Sequence, residues 1–124
     1  MQEDSYEIHS CFIANAVKRY FGGKAAAFHV IEFDGTGSFF LDFLVYRSFK
    51  ARISLGFSSR FRTGIVYFYV YIGDRAEMLD SLPGKNSEMS MNYTEEALLN
   101  NLKVLDEYLI WCMTDAQKKT FGII

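Results

Sequence analysis

Only two cysteines, two histidines and one proline stand among the 124 residues. Cys11 and Cys112 lie far apart, and four suitably spaced ligands for zinc are lacking. Both fall on expected helices, where free cysteines are commonly buried, so buried free thiols in a reducing compartment are expected. A disulfide joining the two helices is the alternative. No apolar run approaches the roughly 18–20 residues of a membrane-crossing helix; the longest, Ile65 to Ile72, has the length of a strand. The start, Met1-Gln2-Glu3-Asp4, is acidic and lacks the basic and apolar regions of a signal peptide. A cytoplasmic protein without a membrane partner is the expectation. A net charge of −2 excludes a histone-like chain or an acidic polymer, and there is no internal repeat or low-complexity tract.

What is present suits one packed domain. Half of the residues are hydrophobic and 17% aromatic, enough for a core, and the charged fraction of 23% is that of a globular protein. Ile8, Phe12, Ile13, Ala16, Val17, Tyr20 and Phe21 recur at spacings of three and four and predict a helix with those residues on one face. Glu3, Asp4 and Glu7 near its start and Lys18 and Arg19 near its end suit the helix dipole, and Gly22-Gly23 stops it.

The middle of the chain reads as sheet. Ala27 to Phe33 is strand-like, and Asp34-Gly35-Thr36-Gly37 is a turn. Phe39, Leu41, Phe43 and Val45 share a face, and Phe49, Ala51, Ile53, Leu55 and Phe57 continue in the same phase. Arg47-Ser48 breaks the row and divides it into two strands, one long bent strand being the alternative. After a turn at Gly56 to Arg60, Arg62 to Ile72 is the last strand of the set. Gly64, Val66, Phe68, Val70 and Ile72 form one face of it, and Ile65, Tyr67, Tyr69 and Tyr71 the other.

From Gly73 to Tyr93 no long periodic element is visible, which predicts a loop of about twenty residues, shortened by a helical turn through Ala76 to Leu82. The last helix is expected to start at an N-cap, Thr94, with Glu95 and Glu96 in its first turn. It runs through Leu98, Leu102, Leu105, Leu109, Cys112 and Ala116 to Lys118 and Lys119. The expected fold is α+β: an N-terminal helix, about four antiparallel strands and a long C-terminal helix, with both helices on one sheet face.

Charge is uneven. Between Phe43 and Gly73 lie Arg47, Lys50, Arg52, Arg60 and Arg62 and no acid, so that window carries +5 and the rest of the chain −7. If helices cover the Phe49/Ile53 face, Lys50, Arg52 and Ser54 point outward beside a row of Tyr67, Tyr69 and Tyr71. Such a face is either a solvated surface whose tyrosines pack across strands or a contact surface, since Tyr and Arg are enriched at interface hot spots. Tyr67, Tyr69, Tyr71, Arg52 and Lys50 are one candidate partner-binding patch. Asp74, Glu77 and Asp80 are a second, able to meet a basic partner; they lack the spacing of a calcium loop.

Catalytic chemistry finds little support. His29 with Glu32 and Asp34 is the only compact grouping of a histidine with acids, and on a strand His29 and Glu32 face opposite ways. His9 lies alone on the first helix. Gly35-Thr36-Gly37 lacks the Gly-Lys-Ser/Thr ending of a phosphate loop. Asp42 is a lone acid in an apolar strand and has no visible partner acid. Neither a metal nor a cofactor follows.

The assembly resembles the small cytoplasmic immunity proteins that bacteria pair with polymorphic toxins, including those of contact-dependent growth inhibition systems. The likeness is one of type: a short, mildly acidic, aromatic-rich α+β chain with no catalytic set, and no single residue carries it. It implies a non-enzymatic, stoichiometric inhibitor that binds a toxin domain, often a nuclease, by complementary charge. The competing expectation is a single-stranded nucleic-acid binder using the same tyrosines with Arg47, Lys50, Arg52, Arg60 and Arg62. The whole chain is acidic and no glycine-flanked aromatic run is present, which weighs against it. An enzyme or small-ligand domain with a pocket between helix and sheet that uses His29, and a homodimer through the tyrosine face, complete the set.

Overall fold

The computed structural model describes residues 6–32, 38–57, 64–81 and 89–124. Helix α1 (Tyr6–Phe21) leads, through a 3-10 turn at Gly22–Lys24, into strands β1 (Ala25–Glu32), β2 (Phe39–Val45), β3 (Phe49–Gly56), β4 (Ile65–Ile72) and β5 (Arg75–Met78). A second 3-10 turn (Leu79–Ser81) follows, then helices α2 (Glu95–Cys112) and α3 (Asp115–Thr120). The strands form one antiparallel meander in the order β1-β2-β3-β4-β5. The expected α+β architecture is therefore present, with five strands rather than four. Glu3 and Asp4, the turn at 34–37, Arg60, Arg62, and Leu82 to Gly84 lie outside the described residues.

Register explains the core. Phe39, Leu41 and Phe43 stand opposite Leu55, Ile53 and Ala51, and those three stand opposite Val66, Phe68 and Val70. All nine are buried, and Ile13, Val17 and Phe21 of α1 and Leu98, Leu102, Leu105 and Leu109 of α2 close over them in one cluster. Period-2 alternation in the strands and a stripe at three- and four-residue steps in the helices thus meet in a single apolar layer. The close packing reaches the backbone at Gly64, where a Cβ would fall 2.4 Å from a methyl carbon of Leu55.

Several expectations are corrected. Ile8 and Phe12 are exposed, because α1 buries Ser10, Ile13, Ala16, Val17 and Phe21 instead. Both cysteines are exposed. On α2 the apolar stripe steps from Leu109 to Met113 and leaves Cys112 on the outside. The last helix does not continue to Lys119: it ends at Cys112, and Thr114 begins α3 with a capping box in which its side chain and that of Gln117 satisfy each other's backbone N–H. The stretch after Gly73 is not a plain loop. Gly73, at φ +67, takes the first position of a two-residue hairpin turn that a II′ geometry reserves for glycine, and β5 follows. Beyond the second 3-10 turn, Val66 N–H donates to Met91 C=O at 3.0 Å, and Ile65 bridges Asn92, so residues 91–92 continue the cover along the edge of β4.

The β2–β3 connection is strained, as is Ala27 at the bulge of β1, with φ +58. Residues 46–48 link Val45 to Phe49, and Tyr46 and Arg47 have φ +55 and +60. This left-handed backbone costs about 1–2 kcal/mol per non-glycine residue. Tyr46 is held there from several sides. Its N–H donates to Lys24 C=O at 2.9 Å. Its phenol donates to Asp106 Oδ1 at 2.6 Å, while Tyr20 donates to Oδ2 of the same carboxylate at 3.0 Å. Its ring packs edge-on against Phe21 and Phe121. A second polar anchor is Asn101, 1% exposed, whose amide accepts from Ser90 N–H and donates to Ser90 C=O.

Burial, then the Asp106 carboxylate, push the Tyr20 and Tyr46 phenols well above their ordinary range, and burial pushes Tyr93 up to about 12. A tyrosine is neutral when protonated, so the folded chain keeps these protons where the unfolded chain, with phenols near pH 10, has lost them. Their stabilisation is therefore complete below about pH 10 and declines as pH rises toward 12 and beyond. Denaturant midpoints across pH 8 to 12 will show a fall that starts near pH 10; a flat profile would contradict the burial of these phenols. Tyr46→Phe keeps the ring but strips Asp106 of one donor, and we expect a loss of about 1–2 kcal/mol in urea unfolding with an unchanged slope.

Candidate binding face

Because both long helices lie over one face of the sheet, the side chains that alternate away from the core form a second surface. In register across it stand His29 on β1, Asp42 on β2, Arg52 on β3, Tyr69 on β4 and Met78 on β5. One step along the strands, Ile31, Phe40, Ser54 and Tyr67 form a parallel row. Lys50 and Tyr71 extend the grid toward the other end. The expected patch of Tyr67, Tyr69, Tyr71, Arg52 and Lys50 is therefore brought together on one face, with the three tyrosines half-buried.

Asp42 organises this face. It is 5% exposed, and both of its oxygens are taken by its cross-strand neighbour: Arg52 Nε donates to Oδ1 at 2.7 Å and Nη2 to Oδ2 at 3.0 Å. Lys50 Nζ lies 3.7 Å from Oδ2. The hydrogen bond to Asp42 is the main reason that the Arg52 guanidinium is held above its already high range. That fork also holds the guanidinium carbon over aromatic rings, 4.2 Å from the centroid of Phe40 and 5.5 Å from that of Tyr71. Lys50 Nζ sits 4.4 Å from the Tyr71 centroid, and Phe40 meets Tyr69 edge-on at 6.4 Å. Cations, rings and one buried carboxylate thus fix each other's positions.

Beside this lattice is an open hollow of about 320 Å³, lined chiefly by Ser38, Phe40, Ser54, Gly56, Ile65 and Tyr67. Its walls are mostly apolar, and its size is at the lower end of the range of small-ligand sites.

The acidic group behaves differently. Asp74 is exposed in the β4–β5 turn and Asp80 sits in the second 3-10 turn. Glu77 stands opposite Val70, on the helix side of the sheet edge, and pairs with Arg75. Ala76 and Met78, not Glu77, share the tyrosine face. The two candidate patches are separate surfaces.

Asp42 and Phe40 were the residues missed. Asp42 does have a partner, a cation, and the signal was the hairpin itself: a turn centred on Arg47 sets Asp42 opposite Arg52. His29 stands next to Asp42 in register, but the carboxylate's oxygens are both bound by Arg52, which leaves it poorly disposed as a base for the imidazole. Arg47 leaves the tyrosine face and lies 5.7 Å over the ring of Phe121. His9 joins an aromatic cluster, its Nδ1 2.8 Å from the Tyr93 hydroxyl and its ring 5.2 Å from that of Phe57. Among the described residues, no three His, Cys, Asp or Glu side chains are grouped as metal ligands, and no helix is long and apolar enough to cross a membrane.

Comparison with known proteins finds no matching family model, no matching curated protein and no matching solved structure.

Removing either member of the Asp42–Arg52 pair strands the other in a largely dehydrated place. Asp42→Ala and Arg52→Ala should each cost about 2–3 kcal/mol, and the double replacement far less than their sum. Additive losses in a thermal or urea double-mutant cycle would show that the pair is not coupled.

Proposed function

We propose that this chain is a non-enzymatic binding protein that docks a protein partner on the outer face of its sheet. In this reading its role is that of an immunity protein, which binds and neutralises a bacterial toxin domain in the cytoplasm. The observation that carries the reading is the second sheet face: three half-buried tyrosines, a phenylalanine and two cations, held in place by one buried carboxylate and left outside the helical layer. Preset aromatic and arginine side chains lose little freedom on binding, which is what interface hot spots require. The type-level likeness to immunity proteins supports the choice of partner. The whole-chain charge of −2 suits neither a membrane surface nor a nucleic-acid coat.

The test is a tagged pull-down from the source cell at moderate salt, followed by a growth assay in which the retained protein is expressed with and without this chain. A single stoichiometric protein whose toxicity this chain relieves is the expected result. A retained protein that is harmless alone, or nucleic acid that salt removes, would overturn the immunity reading. Tyr69→Ala with Tyr71→Ala should weaken that complex at least about tenfold while the fold remains intact; unchanged affinity would take the tyrosine face out of the interface.

A further inference from the structure

The outer face also states the chemistry of what it binds, on the premise of the binding role proposed above. Its described positions on β2 to β5 carry one acid, Asp42, and two cations, Lys50 and Arg52. Asp42 neutralises one positive charge, so the face keeps a net charge of +1 although the chain as a whole is acidic. The guanidinium gives only one N–H of Nε and one of Nη2 to Asp42, which leaves three for another acceptor. Lys50 is exposed, and at 3.7 Å from Oδ2 its ammonium is attracted without being saturated. The hollow is adjacent: Phe40, which carries the Arg52 guanidinium on its ring, is one of its walls. Arg52 and Ser54, at the cation and in the hollow, are two residues apart on one strand, a separation of about 7 Å. An extended partner chain with an acid two residues from an apolar side chain matches that spacing.

We propose that the outer face recognises an acidic, extended segment of a protein, seating one apolar side chain in the Phe40/Tyr67 hollow and a neighbouring carboxylate on Arg52 and Lys50. Single-stranded nucleic acid fits less well. Base stacking needs open ring faces, whereas Arg52 already lies over Phe40, and Lys50 and Arg52 over Tyr71. A chain of phosphates also needs more than one unneutralised cation among the described residues.

The probes are four: the capped peptide Glu-Ala-Phe-Ala-Glu, its Lys-Ala-Phe-Ala-Lys and Glu-Ala-Ala-Ala-Glu counterparts, and an oligothymidylate, each titrated into the labelled full chain and followed by amide NMR. The first peptide should shift the amides of Phe40, Ser54 and Tyr67. The other two peptides should bind at least about tenfold more weakly, as should the first peptide to Tyr67→Ala and to Lys50→Glu. Thermal unfolding of both variants confirms that they fold. Equal binding of the lysine peptide, shifts confined to another surface, preference for the oligothymidylate, or no binding at all would each overturn the proposal. Acidic-peptide binding by a chain that relieves no toxin would overturn the immunity reading alone. Relief of a toxin by a chain blind to these peptides would overturn this inference alone.

Discussion

A tyrosine held in left-handed backbone, with its hydroxyl on a helix carboxylate, sets the geometry of this fold. Tyr46 turns the chain between β2 and β3 where glycine, asparagine or aspartate would be the usual choice. Its phenol on Asp106 ties the hairpin to α2, Tyr20 ties α1 to the same carboxylate, and Phe121 packs on its ring. Two hydrogen bonds to one carboxylate and a ring contact thus hold both long helices and the C-terminal turn to the same side of the sheet. The strain is offset by the burial of Tyr46 and by its hydrogen bonds to Lys24 and Asp106.

The consequence is a sheet with two unlike faces. The inner face is an apolar layer across β2, β3 and β4. The outer face is polar in a controlled manner, with a buried carboxylate under an arginine that lies on aromatic rings. Buried ion pairs add little net stability over apolar packing, since desolvation consumes most of the attraction. Their effect at this place is positional: Arg52, Phe40 and Tyr71 are held in fixed relation before any partner arrives. That is the preorganisation on which a contact surface depends.

The parts of this design that follow a strict period could be read from the residues. The alternation of Val66, Phe68 and Val70 with Tyr67, Tyr69 and Tyr71 separates two faces without further information, and Gly22-Gly23 marks the end of α1. The break at Arg47-Ser48 was visible, but not that Tyr46 would turn inward to reach Asp106, a partner 60 residues away. β5 was hidden because Arg-Ala-Glu-Met has no alternation and favours helix; the Gly73-Asp74 pair was its only local sign. Thr114-x-x-Gln117 announced the break before α3, yet the continuing apolar residues masked it. The exposed cysteines went against the usual burial of free thiols, since Leu109 to Met113 is as good a helical step as Leu109 to Cys112. Asp42 looked unpartnered because its partner lies across a hairpin rather than along the chain.

The central claim is that the outer face of the sheet, and not the helical layer, meets the partner. Trp111, 78% exposed near the end of α2, is the strongest rival surface. A photo-crosslinking amino acid placed at position 69, and separately at position 111, in the chain bound to its partner decides between them. A covalent adduct from position 69 with none from position 111 is the predicted result. An adduct from position 111 with position 69 silent would contradict the account.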